Sequence, residues 1–387
     1  MNSDPSSTGA GAGEAAARAY AELAATLGEI EAKYIGPERG MHSPEERAAG
    51  RYLVANALQH GFQCWFDVDP GRPLFQRWLT STKKLLGDNP DAVYYGAVTD
   101  PASTYRIRGN VHGACYTSFS VEVGAEEGHL SKGVVSTLND TEFDVAADGS
   151  YEIVAGPEPP PGAPRNWLRL EPGAGGITTR HYWEWERNVA ADPTFHVPLW
   201  IEPVVDPGPA PPMDDAAIAA GIRRVVNFVR GVTIDFPELP PEVMPAWVSN
   251  VVNAFDSSAY DQENTEIGYA AVDNAYLQTR YELGPDQALV MRGRFPRCRF
   301  ANVVVWNHRL QTPPYRHRRV SLNRNQVKYR EDGSFEIVVA HRDPGVPNWI
   351  DAAGLPTGMI FWRFLLPEEN VPPVETERVD VDSLAKR

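Results

Sequence analysis

Two short stretches of the chain hold side chains that could move protons or grip a polar ligand. The first is His341-Arg342-Asp343-Pro344-Gly345, which closes a run of alternating polar and apolar residues. Residues two apart in a strand face the same side, so the His341 imidazole and the Asp343 carboxylate are expected to stand together. Such a pair can act as general acid and base; it can equally brace the turn before Pro344-Gly345, where an Asp bonds its own backbone. The H-x-D spacing is also found in the facial triad that holds non-haem iron. His341 is the last histidine, however, so His308 or His317 would have to fold back, and the two several-histidine motifs of a cupin metal site are missing. No metal is therefore expected.

The second stretch is Thr179-Arg180-His181-Tyr182-Trp183-Glu184-Trp185-Glu186. Alternation puts Arg180, Tyr182 and Glu184 on one face and His181, Trp183 and Trp185 on the other. Arg and Tyr beside aromatic rings suit a cavity that takes a small anionic or hydroxylated ligand, whereas an outward-facing row of salt bridges would need nothing more than solvent. Trp183, Trp349 and Trp362 are the expected lining of such a pocket.

Other chemistries lack their motifs. There is no G-x-S-x-G, no P-loop and no H-E-x-x-H. Gly173-Ala174-Gly175-Gly176 is not followed by the helix a dinucleotide site requires. Cys64, Cys115 and Cys298 form no C-x-x-C pair. No cofactor is expected. A formal charge of −15 and a pI near 5.1 disfavour nucleic acid and anionic membranes as partners; Arg316-His317-Arg318-Arg319 is a local basic cluster against that trend. With no apolar run long enough to span a bilayer and no basic-then-apolar leader, a cytoplasmic protein is expected.

The elements that must position these residues come in two copies. Leu138-Asn139 is answered by Leu322-Asn323, and Asp148-Gly149-Ser150 by Asp332-Gly333-Ser334, at one offset of 184 (323 − 139, 332 − 148). Asn166-Trp167 and Asn348-Trp349 follow. Two copies make a duplicated domain. Residues kept in both copies are assigned to the shared fold, the asparagines to turns and the tryptophans to packing. Short β-branched and aromatic runs separated by Gly, Pro, Asn and Asp predict strands, among them 142–145 and 326–329 as hairpin partners across the two Asp-Gly turns.

Helices are predicted over Glu14 to Lys33, from Ser43-Pro44 with a capping box to Gly61, from Pro73 to Leu86, from Asp214 or Asp215 to Gly231, and from Pro245 to Phe255. The chain then divides into a disordered tail (1–13), a helical cap (14–90), a first β lobe (91–203), a proline-rich and helical linker (204–265), a second β lobe (266–366) and a loose polar tail (367–387).

The run HRDPGVPNWIDAAGLPTGMIFWRF, with SLN and DGS before it and DNAYLQTRYELGPDQALVMRG further upstream, resembles a bacterial domain-of-unknown-function family, number twelve-fourteen. NWLRLEPGAGGITTRHYWEW looks like a divergent copy of the same domain. The resemblance implies a β-sandwich or jelly-roll fold and no particular activity or catalytic residues. The expected architecture is therefore mainly β, two tandem jelly-roll-like sandwich lobes with an N-terminal helical cap and a helical linker. Its default ligand site is the cleft between the lobes.

Two function classes stand side by side. One is a metal-independent enzyme using His341 and Asp343 for elimination, isomerisation or hydrolysis of a small apolar or glycosylated metabolite, which Arg180 and Tyr182 orient. The other is a non-catalytic module that binds a glycan or small ligand; a metal oxygenase is the third option. A homo-oligomer is compatible with either.

Overall fold

The computed structural model describes residues 13–162, 165–237, 244–255 and 273–386. Two α-helices open the chain, Glu14–Lys33 (α1) and Pro44–Gly61 (α2). Ser43 and Glu46 form the capping box, each side chain bonding the other's backbone N–H, with Pro44 at the first helical position. Gly61 does not stop the chain's helical path, which continues as a π turn over Phe62–Phe66. Its missing side chain instead admits Val225, whose Cγ1 would lie 3.0 Å from an added Cβ.

The helix expected over 73–86 is absent. Gln76–Arg77 (β1) pairs with a strand, and Trp78 N–H donates to the Tyr94 carbonyl. The Trp78 indole lies over Gly96, where a Cβ would come within 2.0 Å of Nε1. Docking this segment on a sheet through a large ring wins over its apolar spacing, and Leu74, part of the expected stripe, is left 65% exposed.

The first lobe contains Ala92–Val98 (β2), Tyr105–Asn110 (β3), Tyr116–Val123 (β4), Gly133–Asn139 (β5), Ser150–Gly156 (β6), Trp167–Arg169 (β7), Ala174–Tyr182 (β8) and Leu199–Pro203 (β9). They form two sheets of order β1-β2-β8-β4-β5 and β7-β6-β3-β9. Between the sheets lie Val93, Tyr95, Ile107, Phe119, Val121, Ile153, Leu168, Ile177 and Trp183, one continuous core.

Asp214 caps Asp215–Gly231 (α3), whose Ile222, Val225, Val226 and Val229 are buried as the stripe requires. α3 packs on α1 and α2, and its Asp215 carboxylate accepts the Ala15 and Ala16 N–H groups at the start of α1. No helix forms over 245–255. Val248 bridges to Gln278 there, and the Trp247 ring packs against Tyr276 and Phe361.

The second lobe repeats the first: Asn274–Glu282 (β10), Gln287–Gly293 (β11), Phe300–Trp306 (β12), Ser321–Asn323 (β13), Phe335–Ala340 (β14), Trp349–Asp351 (β15), Thr357–Leu365 (β16) and Glu375–Asp380 (β17). Its orders, β10-β16-β12-β13 and β15-β14-β11-β17, match β2-β8-β4-β5 and β7-β6-β3-β9 of the first lobe, β1 being an added edge strand there, and each lobe has a parallel pair, β6 with β7 and β14 with β15.

Two expectations are corrected here. Segments 142–145 and 326–329 are turns and extended chain; β5 and β13, just before them, take the sheet positions. The tail expected to be loose supplies β17, which pairs with β11 and is followed by buried Val381 and Leu384. Glu375–Asp380 is an edge strand with charges on both faces, so no alternation marks it. The expected tail at 1–12 and the start of the second lobe at 266–272 lie outside the described residues.

Candidate functional site

Each lobe turns one sheet inward, and the two inner sheets meet. At the contact, Ala92, Tyr116 and Tyr182 of the first lobe pack on Phe300 and Leu365 of the second. Strand register identifies the mates: Ser118 lies opposite Arg180 as Asn302 lies opposite Arg363, and Tyr94 opposite Arg180 as Tyr276 opposite Arg363. Tyr116 then matches Phe300, and Tyr182 matches Leu365. The interface is thus isologous within one chain, as a C2 dimer's would be between two.

Its polar bonds cross over reciprocally. Asp91, just before β2, accepts from Asn323 Nδ2 at 3.0 Å and Asn302 Nδ2 at 2.9 Å in the other lobe, and from Asn188 at 2.6 Å. Asp273, at the same place before β10, accepts from Asn139 Nδ2 at 3.3 Å and from the Tyr116 hydroxyl in the first lobe. The repeated asparagines therefore do two jobs: their Oδ1 atoms hold the turn N–H groups of Thr141 and of Asn325 and Gln326, and their amides tie the lobes. Arg324 and Glu184 add a two-pronged interlobe ion pair at 2.7 and 2.8 Å. Burial pushes the Asp91 carboxyl up to about 6, against the pull of its three amide donors.

Away from this seam the inner sheets part beneath the segment carrying Trp78 to Gly87. A small chamber of about 90 Å³ is lined by Leu85, Tyr94, Thr178, Arg180, Tyr182 and Arg363. Beside it, sharing the wall of Leu86, Gly87, Tyr276 and Arg363, is a cavity of about 640 Å³. Its apolar side is Trp247, Tyr276, Trp306, Leu310 and Phe361; its polar side comprises Lys132, Asn227, Arg230 and Asp235 beside α3.

Arg180 is buried, donates from Nη1 to Ser120 Oγ at 2.7 Å, and lies 3.8 Å from Glu122 Oε1. Arg363 is its register mate and has a different environment. It stacks over Trp306 and Phe361, its carbon Cζ 5.0 and 4.6 Å from the ring centres, and donates from Nη2 to the Gly87 carbonyl at 2.9 Å.

The remaining expected site residues fall elsewhere. Asp343 is exposed and accepts the Gly345 N–H at 2.8 Å, while His341 Nε2 donates to the Leu283 carbonyl at 3.0 Å. No hydrogen bond joins the two, and both stand just past the end of β14 in an outer sheet, away from the cavity; the bonds they make are to a strand-end carbonyl and a turn N–H. Trp183 and Trp362 are core residues, 1% and 0% exposed, and Trp349 packs beside Ala340, donating to its carbonyl at 3.1 Å. None of the three lines the cavity, because in each case the strand's alternation sends the ring into or against its own sandwich. Tyr182 reaches the small chamber through its lobe contact. Arg363, Tyr276, Trp306 and Phe361 were not expected. Aligning the ITTR and FWR runs on their arginines would have revealed Arg363 as the mate of Arg180.

Among the described residues no three His, Cys, Asp or Glu side chains converge as a metal-binding group, and no helix is long and apolar enough to cross a membrane.

Fold and site together define a duplicated β-sandwich whose inner sheets meet across a pseudo-twofold seam, with a cavity beside that seam. A family model described as protein of unknown function (DUF1214) matches the chain twice, over residues 95–184 and 278–369. The chain belongs to that family and carries its domain in both lobes. It is similar to an uncharacterized protein from Burkholderia cenocepacia of known crystal structure, 26% identical, with a TM-score of 0.78 over 94% of this chain and 97% of that one. A Vibrio parahaemolyticus protein is 12% identical with a TM-score of 0.45 over 84% and 99% of the two chains. No curated protein matches.

Proposed function

We propose that this protein binds a small, largely apolar molecule in the cavity beside the lobe seam. The observation that carries this reading is the lining itself: about 640 Å³ walled by Trp247, Tyr276, Trp306, Leu310 and Phe361, with Gln278 and Arg363 as the polar groups among these rings and the other polar side chains beside α3. That volume lies in the range of ligand sites, and a mostly apolar wall with few polar groups is their usual chemistry. The reading supports the ligand-binding alternative over acid/base catalysis by His341 and Asp343. A glycan platform is less well supported, since Trp183 and Trp362 are enclosed. A cytoplasmic setting belongs to the same proposal, supported by three unpaired cysteines.

The test uses N-phenyl-1-naphthylamine, a neutral dye that brightens in apolar sites. The wild-type protein is expected to bind it saturably with one dye per chain. Gln278 lines the cavity, and Gln278→Trp, which places an indole in it, is expected to weaken binding at least about tenfold, or about 1.4 kcal/mol. Absence of saturable binding, or equal binding by the filled variant, removes the proposal.

A further inference from the structure

Among the described residues no carboxylate forms an ion pair with the Arg363 side chain. Arg363 is 6% exposed, and its Nη1 is buried without a hydrogen-bond partner. Its mate Arg180 has Glu122 beside it, so the duplication kept the cation in both lobes and the carboxylate in one. The residue matching Glu122 is Trp306, which offers Arg363 a ring face in place of an anion. The Asp88 carboxylate feels the Arg363 charge but forms no ion pair with it, being held by the Thr312 N–H and hydroxyl.

A buried guanidinium without an ion pair is costly, because water has been removed and no directly bonded anion replaces it. Yet Arg363 is held firmly, by Gly87 on one side and two rings on another, with Nη1 left over. It stands in the wall shared by both chambers. The small chamber, about 90 Å³, has room for roughly three waters' share of liquid volume. That also suits a carboxylate, and the chamber adds Tyr94, Tyr182 and the unpartnered Thr178 hydroxyl as polar neighbours.

Resting on the ligand-binding reading above, we infer that the ligand is an organic acid: its anionic head pairs with the Arg363 guanidinium at the small chamber, and its apolar body lies along Trp306 and Phe361 in the large one. Arg180, already balanced by Glu122, adds positive potential without needing to bond the head. Anionic heads of several kinds share this chemistry, and a planar carboxylate matches the guanidinium best.

The experiment displaces bound N-phenyl-1-naphthylamine with 1-naphthoate and with the isosteric neutral 1-naphthamide. Naphthoate is expected to displace the dye at concentrations at least about tenfold lower than the amide. Arg363→Met, which keeps length and ring contact, is expected to erase that preference while still binding the dye. Equal displacement by acid and amide overturns the inference and leaves the cavity reading intact. Failure of the dye to bind overturns both. Should Arg363→Met not fold, Arg363→Gln takes its place, and a retained preference for the acid in either variant overturns the assignment to Arg363. Methylphosphonate and methanesulfonate as competitors distinguish other anionic heads; stronger displacement by either than by acetate replaces carboxylate as the head group.

Discussion

The reciprocal tie between the lobes gives a prediction that can be worked from distances. Asn323 is fully buried, donates to Asp91 at 3.0 Å and to the Trp185 carbonyl at 3.0 Å, and accepts the Asn325 and Gln326 N–H groups at 3.1 Å each. A bond to a charged group is worth about 1.5–3 kcal/mol and a neutral one about 1 kcal/mol, so Asn323→Ala, which loses one of the first kind and three of the second, is expected to cost about 4.5–6 kcal/mol.

Asn139 donates to Asp273 at a longer 3.3 Å and accepts the Thr141 N–H and hydroxyl, so Asn139→Ala, with a weaker charged bond and one neutral bond fewer, should cost less, about 3.5 kcal/mol. The assay is urea unfolding followed by tryptophan fluorescence and by circular dichroism, read as midpoint shifts. A cycle of Asp91→Ala, Asn323→Ala and the double variant isolates the bond that crosses the seam, with an expected coupling of about 1–3 kcal/mol. A loss below about 1 kcal/mol for Asn323→Ala, or a coupling near zero, would refute the claim that this pair joins the lobes.

Four further outcomes follow from the same coordinates. Because burial raises the Asp91 carboxyl to about 6, the folded state holds its proton more tightly than the unfolded chain does; the associated stability is complete below about pH 4 and is lost as pH rises through 6. Buried His60 and His181, whose pKa values burial lowers to about 3, pull the overall curve the other way in any variant, so the test is differential: the melting-temperature gap between wild type and Asp91→Asn is expected to change in favour of the wild type on going from pH 7.5 to pH 5. Gly96→Ala puts a Cβ where the Trp78 ring lies and is expected to destabilise by about 1–3 kcal/mol in denaturant titration, with Trp78 displaced. Trp362→Leu, in the second core, should lower stability by at least about 2 kcal/mol yet leave dye affinity unchanged, whereas a Trp362 that lined the pocket would change both. Deleting residues 375–387 uncovers the β11 edge and removes Val381 and Leu384, so soluble yield should fall sharply.

The duplication and the sandwich class were legible in the sequence because repeats, turn dipeptides and β-branched runs are local signals. Asp148-Gly149 and Asp332-Gly333 sit at tight turns with positive φ in both lobes, as their residue types require. The capping box before α2 and the buried stripe of α3 were equally local. Helices at 73–86 and 245–255 were misread for one physical reason. Both segments owe their form to a single large ring docking on a sheet far away in sequence, Trp78 on Gly96 and Trp247 on Tyr276, and spacing within a segment carries no trace of that. β17 escaped notice because an edge strand with solvent on its open side needs no alternation.

The site divides along the same line. The chain's own order determined that two copies exist, that Arg180 and Tyr182 share a face, and that each copy carries a Leu-Asn before its turn. Only the packing of one inner sheet on the other decided what those residues are for. Asn139 and Asn323 look like turn residues alone, and become interlobe donors because Asp273 and Asp91 arrive from the opposite copy. Trp183 and Trp362 look like ligand platforms in a linear reading, and become core because alternation turns them away from the seam. Arg363 looked like an ordinary strand residue; that it forms no ion pair among the described residues and keeps Nη1 without a hydrogen-bond partner is a property of the assembled space and not of its neighbours in sequence.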